Sequence, residues 1–399
     1  MGQEFLSHRV QEMEESATIA MSQKCRELTA EGKDIINLSI GEPDFNTPDP
    51  VKIAAKKAID ENFSKYPPVA GMLDLKQVIC NKFKRDNNIT YAPNEICVST
   101  GAKQVIANVI LALINEGDEV ILPAPYWVSY SSQIKFAGGI PVEVKSGIEN
   151  DFKITPKQLN KAITNKTKLI IYSSPCNPSG SVYSSAELKN LAEEIAKHNG
   201  VFVLADEIYE YINFTTENTS IASFDFIKNR TITVNGVAKG FAMTGWRIGY
   251  MGGPEWLVQA CTKIQGQFTS GANSIAQKAT IEALRLGTSL TTEMKTSFLR
   301  RRNLVVKGLS EIPGIIINQP QGAFYAFPDA SNFIGKKYKN YTITNTDELC
   351  LFILNEGLVA CVGGAAFGAP ECIRLSYASA DDLLVEALAR LKKCLALLK

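Results

Sequence analysis

Five short stretches carry side chains that could do chemistry together. Asn235-Gly236-Val237-Ala238-Lys239 puts an amine just past an apolar run, and Thr244-Gly245-Trp246-Arg247 puts a guanidinium eight residues further on. Asp206 ends another apolar run, where a carboxylate is expensive unless it meets a cation. Asn177 is held in a stiff turn between Pro175 and Pro178. Gly101-Ala102-Lys103 follows a third run and opens a helix. Small residues there let backbone N–H groups approach an anion, and the helix N-terminus adds positive potential, which suits a phosphate. Singly, each has a structural reading: a tight turn, a capping Asp, a surface Lys, an Arg in an ion pair. Together they supply an acid, an amine, an anion clamp and a phosphate-sized cradle.

Elements must bring these groups to one place. Strands are expected at residues 95–100, 119–122, 140–144, 168–172, 201–205, 231–234 and 248–251. Apolar positions 105, 106, 109, 110 and 113 form a helical stripe within 102–115, and 188, 191 and 195 do so within 186–197. Continuous apolar strands alternating with helices imply an α/β domain with a mostly parallel seven-stranded sheet covered on both faces. Ligands bind such sheets beyond the carboxyl ends of the strands, where each group above falls. After residue 290 the pattern changes to a long helix at 291–309, short strands at 315–317, 323–327, 358–362 and 373–376, and a helix at 381–398. This predicts a smaller α+β domain. The expected division is 1–47 as an N-terminal arm and part of the small domain, 48–290 as the large domain, and 291–399 as the small one.

Composition narrows the function classes. The 399 residues carry 42 basic and 41 acidic side chains, a balance that argues against nucleic acid or an anionic membrane as partner. No apolar run approaches the ~20 residues of a membrane span. Nine scattered cysteines without a CxxC pair, and a start without a secretory or myristoylation pattern, fit a reduced, cytoplasmic protein. Only His8 and His198 are present, both expected at the surface, so a catalytic zinc site and other metal centres are not expected.

The set of groups fits pyridoxal phosphate, which needs a lysine for a Schiff base, an acid at its ring nitrogen and donors for its phosphate. Here the sequence resembles the class I aminotransferases of pyridoxal-phosphate fold type I, nearly end to end, and most closely the bacterial aspartate aminotransferases of subgroup I-beta. The resemblance rests on Leu38-Ser39-Ile40-Gly41-Glu42-Pro43-Asp44-Phe45, Lys65-Tyr66 with Ala70-Gly71, and Pro125-Tyr126-Trp127-Val128-Ser129-Tyr130. It continues through Pro175 to Gly180, Ala205-Asp206-Glu207-Ile208-Tyr209, Ala238-Lys239 to Gly249, and Ile373-Arg374-Leu375-Ser376-Tyr377-Ala378.

The resemblance implies a role for each matching residue. Lys239 forms the Schiff base and then shuttles a proton. Asp206 keeps the ring nitrogen protonated, Tyr209 and Asn177 bond the phenolate oxygen, and Trp127 stacks on the ring. Arg247 and the backbone of Gly101, Ala102 and Lys103 hold the phosphate, joined by Tyr66 from the neighbouring subunit of a homodimer. Arg374 binds the substrate α-carboxylate as a two-pronged fork, and Gly41 lines the substrate side.

Two departures bear on cofactor and substrate. Where many relatives carry serines before the lysine, this chain has Gly236 and Ala238. No arginine occurs between Arg247 and Arg285 to read a distal carboxylate, so that task is assigned to Lys103, as the subgroup resemblance implies. Acidic Glu14, where relatives that accept prephenate carry a basic residue, points to a narrower range. The expected activity is transfer of the amino group of aspartate, or another dicarboxylic amino acid, to 2-oxoglutarate. Broader or aromatic specificity and a lyase on the same fold are the alternatives. A nucleotide-binding enzyme is disfavoured by the absence of GxGxxG after a strand and of GxxxxGK[ST], and a non-catalytic regulator by the intact lysine, aspartate and arginines.

Overall fold

The computed structural model describes residues 2, 5–11, 13 and 15–399. Its centre is one seven-stranded sheet: β1 Ile96–Ser99, β2 Glu119–Ala124, β3 Ile140–Lys145, β4 Thr167–Ser173, β5 Phe202–Asp206, β6 Thr231–Gly236 and β7 Gly249–Gly252. The spatial order is β1-β7-β6-β5-β4-β2-β3. All pairings are parallel except those of β7, which runs antiparallel to both β1 and β6. All seven expected strands are present, with ends shifted by at most two residues.

Alternation along the strands fills two cores. Leu169, Ile171 and Leu204 pack on one face with Val105, Ile106 and Val109 of the helix Ala102–Leu113. Ile170, Tyr172, Val203 and Ala205 pack on the other with Leu188 and Leu191 of the helix Ser185–Ala196. Both faces are therefore dry, which is why these strands read as unbroken apolar runs.

The C-terminal part builds a second, smaller assembly. Ile373–Ser376 lies between Val362–Gly363 and Tyr325–Ala326, antiparallel to both. The helices Thr288–Ser310, Thr346–Gly357 and Asp381–Leu395 cover it, packing through Phe298, Val305, Leu349, Leu384 and Leu391. Ile36–Asn37 pairs parallel with Val359–Ala360, so both chain ends contribute. The expected strand at 315–317 is not one, because only Ile316 bridges, to Asp329. The stretch 358–362 splits at Cys361 into two short strands with different partners. The helix Thr346–Gly357 had no expected counterpart, since its Leu-Cys-Leu-Phe-Ile-Leu run hides the period of a helix buried on several sides.

All nine cysteines are buried and free. No helix among the described residues is long and apolar enough to cross a membrane. His8 is exposed, whereas His198 is half-buried 3.7 Å from Glu194, so only the first fits the surface expectation.

Candidate active site

Beyond the carboxyl ends of β1, β4, β5 and β6 lies a cavity of about 340 Å³, a small-molecule size. Eleven of the twelve residues singled out by sequence line it; Tyr66 does not, and its side chain is 96% exposed.

The anion cradle comes from β1 and β7. Gly101 caps the helix Ala102–Leu113 at φ 85°, a left-handed conformation that glycine adopts without strain. The first amides of a helix have no acceptor within it, so those of Ala102 and Lys103 are free to meet an anion. Because β7 is antiparallel, its start lies at the same sheet edge, and Arg247 stands two residues before it. The Arg247 guanidinium donates to the Thr244 and Thr100 carbonyls at 3.0 and 3.4 Å. A Cβ on Gly101 would sit 2.4 Å from that guanidinium, and one on Gly249 would sit 2.2 Å from the Ala102 nitrogen. Both glycines are needed for this close approach. Lys103 stands alongside, its ammonium 5.0 Å from the Trp127 ring centre. Partial desolvation, and then the Arg247 charge, pull its pKa down.

The acid and the amine come from neighbouring strands. Asp206 ends β5, and its Oδ2 accepts from the Tyr130 hydroxyl at 2.6 Å while Oδ1 accepts from the Ile208 amide at 3.2 Å. Burial pushes its pKa up to about 6, against the opposing pull of those two bonds and of Lys239. Lys239 follows β6 and donates to the Gly41 carbonyl at 2.5 Å. Burial lowers its pKa to about 8; Glu42 opposes this, and Arg374 and Arg247 reinforce it.

On the small-domain side, Arg374 is only 2% exposed. It donates to Asn177 Oδ1 at 3.1 Å and to the Ser39 carbonyl at 2.6 Å, and its Nε is buried with no partner. Its guanidinium lies 4.7 Å from the Tyr325 ring centre, and Tyr325 shares a 2.8 Å hydroxyl contact with Tyr209. Among the described residues, none of Lys103, Lys239, Arg247 and Arg374 forms an ion pair. A cavity with four uncompensated cations, one orphaned guanidinium nitrogen and one buried carboxylate suits a ligand bearing a phosphate, a basic ring nitrogen and further anionic groups. Pyridoxal phosphate with an amino acid fits this donor set.

Several lining residues were not foreseen. Tyr130 lies three positions after Trp127, with ring centres 5.5 Å apart, a spacing that was legible. Tyr325 and Ser173 carried no signal beyond their strands. Ser16, Thr18 and Ile19 also line the cavity, so the segment around them does reach the site. Glu14 lies outside the described residues. Gly236 is explained by packing: a Cβ there would come within 2.9 Å of the Ile248 carbonyl oxygen. Ala238, in contrast, lines the cavity.

Comparison with known proteins agrees with this geometry. Residues 33–391 match the family described as aminotransferase class I and II. The chain is 46% identical over 398 residues to an aspartate/prephenate aminotransferase of Cereibacter sphaeroides, covering 97% of this chain and 98% of that one. It is 44% identical to the aspartate aminotransferase of Bacillus subtilis, over 97% and 98% of the two chains. The aspartate aminotransferase of Rhizobium meliloti superposes with a TM-score of 0.95 at 40% identity, over 99% of both chains. That of Thermus thermophilus with maleate gives 0.92 at 39%, over 98% and 99%. The chain belongs to the class I and II aminotransferases, enzymes that depend on pyridoxal phosphate.

Proposed function

We propose that the protein is an aspartate aminotransferase. It takes the amino group of aspartate, or another dicarboxylic amino acid, and passes it to 2-oxoglutarate in two half-reactions. It works as a homodimer in the cytoplasm, which nine free cysteines suit. Residues 48–290 form the cofactor domain, and 1–47 with 291–399 the arm and small domain.

The observation that carries this reading is the set of unpaired cations. Besides the reactive amine there are three, matching one phosphate and two carboxylates. When bound, pyridoxal phosphate supplies an electrophilic carbon for amine exchange and a ring that takes up the electron pair left at the substrate α-carbon. The remaining tasks fall to the chain. Arg247 and the amides of Gly101, Ala102 and Lys103 hold the phosphate, with Tyr66 of the partner subunit. Asp206, ionised at neutral pH with a pKa of about 6, accepts from the ring N–H. Trp127 covers the ring face. Asn177 has its Oδ1 occupied by Arg374, which leaves its Nδ2 to donate beside Tyr209 to the phenolate oxygen. Arg374 grips the α-carboxylate with its orphaned Nε and one terminal nitrogen. Lys239, with a pKa of about 8, is partly neutral near pH 7 and can take the α-proton and return it elsewhere. Gly41 lines the substrate side, and Lys103 reads the side-chain carboxylate.

The test is a donor and acceptor panel with each half-reaction followed separately. Aspartate should convert the bound cofactor fully to its amine form, with no pyruvate or ammonia released; either product would favour a lyase. Lys103→Ala should lower kcat/KM for aspartate by roughly 30- to 150-fold, the loss of a charged hydrogen bond worth about 2–3 kcal/mol, and barely affect a neutral amino acid. Equal loss on both would remove Lys103 from substrate reading.

A further inference from the structure

The only hydrogen bond the Lys239 amine makes among the described residues is to a backbone carbonyl, that of Gly41. That carbonyl sits on a loop along the seam between the two domains. Its neighbour Ser39 offers its own carbonyl to Arg374 at 2.6 Å. Three contacts tie the loop to the large domain: Glu42 accepts from Thr244, Thr47 donates to the Ala242 carbonyl at 2.8 Å, and Trp246 donates to Thr47 at 3.0 Å. On the opposite side there is one charged anchor. Asp44 receives a two-pronged fork from Arg301 of the helix Thr288–Ser310, at 2.7 and 2.8 Å.

Arg301 is itself held from behind. Its side chain is only 8% exposed, its Nε donates to Asp381 at 3.1 Å, and Arg300 grips the same Asp381 at 2.7 and 3.0 Å. The rings of Phe45 and Phe298 lie 5.2 and 5.7 Å from its guanidinium carbon. The fork therefore has one orientation, which a lysine at this position would not reproduce. The loop has little slack, since a Cβ on Gly41 would meet the Tyr325 hydroxyl at 2.4 Å.

We propose that Arg301 is a positioning residue for proton transfer: by fixing Asp44 it sets the Gly41 carbonyl against the Lys239 amine. This rests on the aminotransferase reading above. When Lys239 takes a proton from the substrate α-carbon it becomes an ammonium, and an oriented carbonyl oxygen stabilises the positive charge as it develops. A loop free to drift would offer that oxygen late or not at all. Arg301 touches neither cofactor nor substrate, so it acts only through the loop, whose closest contact with the reacting groups is the Gly41 carbonyl at Lys239.

The experiment compares Arg301→Met, Arg301→Lys and Asp44→Asn with the wild type, as holoenzyme and as cofactor-free protein. In the holoenzyme, the half-reaction with aspartate should slow roughly 10- to 100-fold in Arg301→Met, the range for an ångström-scale misplacement. The isotope effect with α-deuterated aspartate should rise, because proton transfer becomes the slow step. Cofactor affinity should stay near the wild-type value. In the cofactor-free protein, the pH midpoint of Lys239 acylation by a small reagent should move down, since the ammonium has lost its acceptor. Arg301→Lys should fall between, and Asp44→Asn should shift both readouts in the same direction. Asp44→Asn also keeps the test open if Arg301→Met fails to fold, because Arg301 retains Asp381. Slower turnover with an unchanged isotope effect and an unchanged Lys239 midpoint would mean that Arg301 serves the fold alone, and the inference would fall. Should wild-type enzyme not react with aspartate, the functional reading fails, and the Lys239 midpoint still decides this one.

Discussion

Replacing Tyr130 by phenylalanine keeps the ring against Trp127 and deletes one donor. That donor is a buried hydroxyl 2.6 Å from Asp206 Oδ2. A hydrogen bond to a charged group contributes about 1.5–3 kcal/mol. At 1.36 kcal/mol per unit, its loss raises the acid's pKa by about one to two units. Asp206 starts at about 6, so the variant should titrate at roughly 7–8. At pH 7 the ionised fraction falls from about nine-tenths to between a half and a tenth. The sign also fixes a stability effect. Asp206 lies above the ordinary 3.8, so its charged form is the costly one in the cofactor-free fold. Its contribution to stability is lost as pH rises from about 4 to about 6 in the wild type, and the loss should continue to about 8 in the variant. The assay is infrared titration of the cofactor-free protein, following the carboxylic-acid band that disappears in Asp206→Asn. Groups around the carboxylate (Lys239, Cys176, Tyr209 and Glu207) remain unchanged in the comparison. A midpoint that stays at the wild-type value, or moves down, would refute the claim that Tyr130 holds Asp206 ionised.

Three further outcomes are expected. Lys239 lies below its ordinary 10.5, at about 8, so the cofactor-free protein should lose about 3 kcal/mol of stability as pH falls from 10.5 to 8; urea unfolding of Lys239→Met should lack that slope. Gly249→Ala should drive a Cβ into the Ala102 amide, lowering cofactor affinity and costing about 1–3 kcal/mol in unfolding experiments. Gly245→Ala, with nothing within 4 Å, is the control that should match wild type. Finally, Lys239→Ala and Tyr66→Ala subunits, each impaired alone, should regain activity when mixed, because one site of the mixed dimer has both residues intact. No gain on mixing would remove Tyr66 from the partner's site.

The large sheet was legible because its strands, apart from the edge strand Ile140–Lys145, are buried on both faces and leave largely apolar runs. Gly101 to Lys103, Asn177, Asp206 and Lys239 were legible because each follows such a run at the sheet's carboxyl edge, whereas Gly41, Tyr66 and Arg374 came from the family resemblance alone. β7 needed more. Residues 248–251 read as a strand, but nothing local says that it runs antiparallel, and that reversal is what brings Arg247 beside Gly101. Tyr130 could be placed beside Trp127 by their spacing of three across the turn that opens the helix Ser129–Phe136, although its bond to Asp206 depends on strand order. Tyr325 and Ser16 reach the cavity from other parts of the chain, and only tertiary packing puts them there. The small-domain strands were least legible: two-residue pairings such as Ile36–Asn37 with Val359–Ala360 carry too few residues for a period to show.

A net charge of +1 hides a local excess. Lys103, Lys239, Arg247 and Arg374 face one cavity without carboxylate partners, while both histidines lie elsewhere. The arrangement links binding to basicity. Arg374 and Arg247 each push the Lys239 pKa down, which raises the neutral fraction of the buried amine before ligands arrive. A phosphate on Arg247 and a carboxylate on Arg374 offset those two charges, so the proton affinity of Lys239 must rise as the site fills. The amine thus keeps a larger neutral fraction while it must react as a nucleophile, and it becomes a stronger base once the α-proton lies before it. A histidine, with an ordinary pKa of about 6.5, would be pushed by the same cations toward a base too weak to take that proton.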